Sequence, residues 1–285
     1  MTRREPGLFV EHDLFRKPVP TFRDHALEYE LMDAPPLVEI NAFTHQGRVR
    51  ESNEDSITVA GWVSDVALSG PRRSRHELAE PLLVAVADGM GGHAAGEVAS
   101  RYAVKRLAAQ GFASEEGAKK ANLKASLEAN VAAALAAINA ELYQSMAGEP
   151  SLRGMGTTVA GLLLTPARAA WFNLGDSRVY GYRAGRLAQL SVDDVPPGPR
   201  SGALTQSLGG WHSFIPVAPH IGSDDLRIPS RWLICSDGLT DMLDDAEIEA
   251  AMAAGDEEAL RALFTQAMTA GGKDNVSIIV VSVGV

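Results

Sequence analysis

Cysteine is almost missing. Cys235 is the single one in 285 residues, which excludes an internal disulfide framework and fits a reducing compartment. Within the apolar run from Trp232 to Cys235 it reads as a small core hydrophobe in preference to a reactive thiol. Long apolar runs are missing too: Leu82 to Ala87 and Ile278 to Val281 fall far short of the roughly eighteen residues that span a bilayer, so no transmembrane helix is expected. Met1 to Pro20 carries Arg3, Arg4, Glu5, Glu11 and Asp13 and lacks the apolar core of a signal peptide, so a cytoplasmic protein is expected. Positive charge is in deficit, with 26 Lys and Arg against 36 Asp and Glu for a net charge of -10. Affinity for a phosphate backbone rests on Lys and Arg, so nucleic-acid binding is disfavoured. There is no internal repeat and no low-complexity tract. What remains, 46% apolar and 22% charged residues, is a globular composition with ample material for a core.

Residues 1 to about 37 hold Pro6, Pro18, Pro20, Pro35 and Pro36 without a sustained period, which predicts an irregular N-terminal extension, either lying on the surface or docking a partner. From 38 to 285 the chain reads as one folded domain. Val84 to Ala87, Thr157 to Leu164, Ala169 to Leu174, Arg178 to Tyr182, Trp232 to Cys235 and Val276 to Val283 are β-rich runs bounded by Gly, Asp or Pro. Leu127, Val131, Leu135, Ile138, Leu142 and Met146 make one apolar stripe on a long helix, and Ala95, Val98, Ala99 and Tyr102 face inward on another. Asp244 and Glu247 predict a capping-box start for a helix through about Ala253. Leu260, Leu263, Phe264, Ala267 and Met268 build a last helix, which Gly271 closes in the left-handed conformation. Groups of strands punctuated by helix pairs predict an α+β fold, antiparallel sheets covered by helices.

The informative pattern is where the acids fall. Asp88 ends the run Leu83 to Ala87 and precedes Gly89, Met90, Gly91 and Gly92. Asp237 ends Leu233 to Ser236 before Gly238, Asp176 follows Trp171 to Gly175, and Asp274 stands between Gly272 and the strand from Val276. Any one of these is ordinary turn chemistry. Together with Glu54 and Asp55 they are carboxylates gathered at strand ends, which would repel and resist desolvation unless cations neutralised them. With no His/Cys cluster to suit zinc, an all-oxygen set suits Mg²⁺ or Mn²⁺. Glycines beside Asp88 would let a backbone carbonyl join the ligands.

Six stretches then resemble, in order, the motifs of the PPM/PP2C family of metal-dependent protein serine/threonine phosphatases in its bacterial form. They are Thr44 to Asp55, Val86 to His93, Gly154 to Thr158, Asn173 to Arg178, Cys235 to Leu239 and Gly272 to Asn275. The resemblance implies a four-layer αββα sandwich, two antiparallel sheets flanked by helices, with residues 38–285 as its catalytic domain. It implies that Asp88 bridges two Mn²⁺ or Mg²⁺ ions, with the Gly89 carbonyl on one of them. Asp237 and Asp274 would hold the first ion, Glu54 and Asp55 would order the second, and Asp176 would anchor a third, weaker one. Arg50 would hold the substrate phosphate, a task suited to the guanidinium fork. Catalysis would rest on Arg50, Asp55 and Asp88. The implied reaction is hydrolysis of phosphoserine and phosphothreonine in proteins by a metal-bridging hydroxide, opposing a bacterial Ser/Thr kinase as partner.

Two departures accompany the match. Met90 stands where eukaryotic members carry a histidine, so the general acid is left to water near Asp176, and His93 reads as structural. The stretch from Leu190 to Asp194 runs through Val195, Pro196, Pro197, Gly198 and Pro199 almost directly to Leu204 to Gly209, where relatives carry a flap of some thirty residues. This shortened flap predicts an open cleft. Arg72, Arg73 and Arg75, on an expected loop from Ser69 to Glu80, are either solvated or a patch for acidic targets. A hydrolase of small phosphoesters and a non-catalytic phospho-binding module of the same fold are the rival readings.

Overall fold

Alternation along apolar strands sets up the layers. The structure, a computed structural model, describes residues 35–64, 66–90, 94–112, 123–198 and 202–284. In chain order its strands are β1 (Leu37–His45), β2 (Asp55–Val59), β3 (Trp62–Ser64), β4 (Arg72–Glu77), β5 (Leu82–Met90), β6 (Gly156–Thr157), β7 (Val159–Leu164), β8 (Arg168–Leu174), β9 (Arg178–Arg183), β10 (Arg186–Gln189), β11 (Leu208–Gly209), β12 (His220–Asp225), β13 (Ser230–Cys235) and β14 (Val276–Gly284). The described helices are α1 (Ala94–Ala108), α2 (Leu123–Gly148), α3 (Asp237–Thr240), α4 (Asp245–Met252) and α5 (Asp256–Thr269). One sheet has the order β10-β9-β13-β14-β1-β4 and the other β11-β6-β5-β7-β8-β12, with β2 also on β5 and β3 on β2. The pairings are antiparallel.

Successive side chains of β5 point to opposite faces. Val84 and Val86 join Ile57, Leu162, Ile279 and Val281 in the apolar layer between the sheets. Leu83, Ala85 and Ala87 pack instead under α1 and α2, against Ala99, Val131, Leu135 and Ile138. On the other sheet Ile278 and Val280 turn away from the sandwich to meet Leu239, Ile248 and Leu263 of the second helical layer. Strands buried on both faces explain why β5 and β14 read as continuous apolar runs. The result is the expected helix, sheet, sheet, helix order.

Several local expectations hold with small shifts. The stripe from Leu127 to Met146 is buried on α2, and Ala95 and Ala99 on α1. Asp244 and Glu247 form the reciprocal capping box. At the end of α5, Gly271 has φ of 135°, and the left-handed conformation falls one residue later at Gly272, with φ of 52°. The amide of Gly272 then satisfies the Ala267 carbonyl at 3.0 Å. Cys235 is fully buried, and burial pushes its thiol up to about 12. The expected extension lies outside the described residues except for Pro35, Pro36 and Leu37.

One expectation is corrected. Arg72, Arg73 and Arg75 stand on β4, an edge strand paired with β1, and not on a loop. Arg72 lies 4.2 Å above the Trp62 ring, Arg73 pairs with Glu257 and Arg75 with Glu39. Charged side chains on an exposed edge protect it from pairing with another strand.

Candidate active site

Antiparallel register carries the acids to one end of the sandwich. Asp55 opens β2 directly opposite Asp88 near the end of β5. Val159 at the start of β7 faces Leu174 at the end of β8, two residues before Asp176. On the other sheet His45 ends β1 opposite Val276, and Cys235 ends β13 opposite Ile278, so the turns holding Asp237 and Asp274 open the same way. A cleft of about 910 Å³ lies there, lined by Arg50, Glu54, Asp88, Gly89, Asp176, Asp237 and Asp274, with Val49, Met90, Thr158, Gly202 and Leu204 around them. Of the expected site residues only Asp55 does not line it. His93 falls outside the described residues.

Asp55 sits behind the cleft, fully buried. Its Oδ2 accepts from the Ser236 hydroxyl at 2.8 Å and lies 2.7 Å from that of Ser277. Burial pushes its carboxyl up to about 6. Asp237 is pushed up to about 7, by burial first and then by the charge of Asp176. Asp88 is raised well above the usual range, by desolvation and then by the charges of Asp55 and Asp237. Arg50 reaches across the rim to Asp274, Nη2 to Oδ2 at 2.6 Å.

Supporting residues fix this geometry. Thr158 accepts from the Asp88 amide through its hydroxyl at 3.1 Å, while its own amide and the Thr157 hydroxyl donate to the Asp88 carbonyl at 2.9 and 2.8 Å. Asn275 donates to the carbonyls of Gln46 at 2.9 Å and Ser52 at 2.8 Å and accepts from the Glu54 amide at 2.7 Å. It thereby pins the β1–β2 loop, which bears Arg50, to the turn of Asp274. The serines behind Asp55 are not legible in the sequence: neither Ser277 within β14 nor Ser236 just after β13 announces a partner. Thr157, Thr158 and Asn275 lay inside recognised motifs without a stated role.

Among the described residues no three His, Cys, Asp or Glu side chains already stand in a geometry that could hold a metal ion. The acids meet in pairs, Asp55 with Asp88 and Asp88 with Asp237. Their donor chemistry nevertheless fits a hard divalent cation. Asp55 Oδ1 and Asp237 Oδ1 are buried and meet no protein donor. Gly89 is bare of the side chain that would fill the cradle: a Cβ there would overlap the Gly96 backbone and come within 2.7 Å of the Glu54 carbonyl oxygen. Acids held above their normal range by burial first, and then by one another's charge, are relieved when a cation joins them.

Known proteins resemble this chain in sequence and in fold. The serine/threonine protein phosphatase PstP of Mycobacterium tuberculosis is 34% identical over 259 residues, which cover 85% of this chain and 44% of that protein. This chain therefore spans less than half the length of that relative. The serine/threonine phosphatase Stp of Listeria monocytogenes is 29% identical over 84% of this chain and 93% of its own. Among solved structures, the M. tuberculosis phosphatase PstP/Ppp superposes with a TM-score of 0.67 at 32% identity, covering 87% of this chain and 100% of that one. The PstP catalytic domain in complex with two manganese ions gives 0.65 at 34% identity, again covering 87% and 100%. A model of protein phosphatase 2C matches residues 72–277. That match takes in more than two thirds of the sequence, from β4 to the start of β14: the chain belongs to the protein phosphatase 2C family.

Proposed function

We propose that this chain is a divalent-cation-dependent phosphoprotein phosphatase, acting on phosphoserine and phosphothreonine and opposing a bacterial Ser/Thr kinase. The observation that carries the reading is the convergence of Asp88, Asp176, Asp237, Asp274, Glu54 and Arg50 on one cleft, with buried Asp55 behind it. Asp88 would serve both ions and the Gly89 carbonyl one of them, with Asp237 and Asp274 on the first, Glu54 and Asp55 on the second, and Asp176 on a weaker third. Mn²⁺ or Mg²⁺ bound there supplies charge neutralisation for the phosphoryl group and lowers the pKa of a bound water.

The side chains have separable tasks. Arg50 at the rim offers a planar fork to two phosphoryl oxygens and orients the group for in-line attack. Thr157 and Thr158 keep the Asp88 backbone fixed, so its carboxyl does not shift as charge develops. Among the described residues no histidine lines the cleft, and Met90 does; water on the Asp176 side would supply the proton for the leaving alkoxide. The buried free thiol of Cys235 supports a cytoplasmic setting.

The test is hydrolysis of a phosphothreonine peptide, para-nitrophenyl phosphate and small sugar phosphates, with Mn²⁺ and then with excess chelator. Turnover of the peptide that needs Mn²⁺ is expected. Preference for a small phosphoester would favour that rival reading, and turnover that survives exhaustive chelation would remove the cation-dependent mechanism.

A further inference from the structure

The short connector between β10 and β11 starts at a buried carboxylate that ties it to the neighbouring turn. Asp194, buried at 6% exposure, lies where the connector leaves the β9–β10 hairpin. Its amide donates to the Gly175 carbonyl at 3.0 Å, and its Oδ2 accepts from the Gly175 amide at 2.9 Å. Both backbone groups of the residue preceding Asp176 are thus held by one side chain and its own main chain. Gly175 has φ of 97° and lies against Thr158, so position 175 admits no side chain of its own, and Asn173 Nδ2 adds a longer bond of 3.3 Å to its carbonyl.

The same aspartate closes the connector on itself. Its carbonyl accepts from the Thr205 amide at 2.8 Å, and its Oδ1 lies 2.8 Å from Gln206 Nε2 and 3.0 Å from His220 Nε2. Gln206 in turn accepts from the Ala218 amide at 3.0 Å. Asp194 therefore joins four separate stretches: the Asp176 turn, both ends of the connector and the first residue of β12. Gly202 and Leu204, between the joined ends, line the cleft.

We infer that Asp194, with His220 and Gln206 donating to it, is a positioning group that couples the short connector to the Asp176 turn, so that one wall of the cleft and the carboxylate beside it keep a fixed geometry without a full flap. A buried carboxylate is stable only when its oxygens are satisfied, and here the donors come from three different segments. Removing a donor therefore loosens the turn and not just a surface contact. The inference rests on the reading of this cleft as a cation-dependent phosphatase site, and Asp194 itself touches neither substrate nor cation.

Three variants of the full chain test it: Asp194→Asn, His220→Ala and His220→Gln, the last able to keep an N–H toward Asp194. Hydrogen–deuterium exchange over residues 173–178 is compared with Mn²⁺ titration by calorimetry and with para-nitrophenyl phosphate turnover. Asp194→Asn and His220→Ala should exchange faster over 173–178 and need about tenfold more Mn²⁺ for half-maximal turnover. KM should hardly change, and His220→Gln should recover most of the wild-type behaviour. Should Asp194→Asn fail to fold, the two His220 variants decide the question. Unchanged exchange and unchanged Mn²⁺ response in His220→Ala would overturn the inference, as would equal losses in His220→Ala and His220→Gln. If the wild type shows no Mn²⁺-dependent turnover, the functional reading fails, and the exchange comparison still settles whether Asp194 holds the turn.

Discussion

At the scale of single residues, the cleft is a place where function opposes stability. Asp237 is held near 7 by burial and by Asp176, so at pH 8 in the absence of a cation the folded protein bears an ionised carboxylate that the unfolded chain would carry more comfortably. Asp237→Asn removes that charge while keeping the shape. The chelated variant should melt a few degrees above wild type at pH 8, lose the rise in Tm that Mn²⁺ produces, and turn over roughly a hundredfold more slowly or worse. A variant that melts lower than wild type in chelator would show that Asp237 is structural. Arg50 makes a different demand. Its guanidinium pairs with Asp274 at an exposed rim, so the pair itself contributes little to stability. Arg50→Ala should leave Tm within a degree or two and raise KM for a phosphopeptide about tenfold with a smaller effect on kcat. Unchanged KM would remove Arg50 from phosphate binding.

At the scale of elements, the sequence is most readable where a pattern is local. Asp88, Asp176, Asp237 and Asp274 were visible because each stands where an apolar run breaks into glycine, and the capping box of α4 because both partners lie within one turn. β4 was not, because Arg72 to Glu77 has no apolar alternation and becomes a strand only through its ladder to β1. Asp194 was visible as a residue of the shortened flap but not as a junction, since the partners of its side chain lie 12 to 26 positions away. Asn275 belongs to the same class. It holds a loop more than two hundred residues earlier in the chain through the carbonyls of Gln46 and Ser52 and the amide of Glu54. Asn275→Ala leaves those groups part-buried without partners, at a cost of roughly 1–3 kcal/mol in a urea titration. Because the freed loop bears Arg50, KM should rise as well. A loss of stability with KM unchanged would mean that the loop keeps its place by the Arg48 amide bond to Gly272 and the packing of Gly47 alone.

At the scale of the whole molecule, two sheets meeting with their acidic ends together make folding sensitive to pH in a direction opposite to that of most surface carboxylates. Asp55 and Asp237 are raised to about 6 and about 7, and Asp88 is raised as well, each by burial before any other cause. A carboxyl whose folded pKa lies above its unfolded value favours the folded state while protonated. The contribution is complete below the ordinary carboxylate range near 3.8 and is lost as the pH rises through 6 to 7. Asp176 and Asp274 add negative charge around these groups and Arg50 offsets part of it, so the direction is set by the buried acids. A divalent cation reverses the balance, because it binds the ionised form and its affinity grows as protons leave. In excess chelator the Tm should therefore fall steadily from pH 5 to pH 8. With saturating Mn²⁺ it should fall less, so that the gap between the two melting curves widens across the same window. Melts at four or five pH values in matched ionic strength measure this directly. A gap that stays constant from pH 5 to pH 8 would mean that the buried acids do not exchange protons for the cation, and that the strain stored at this end of the sandwich has another origin.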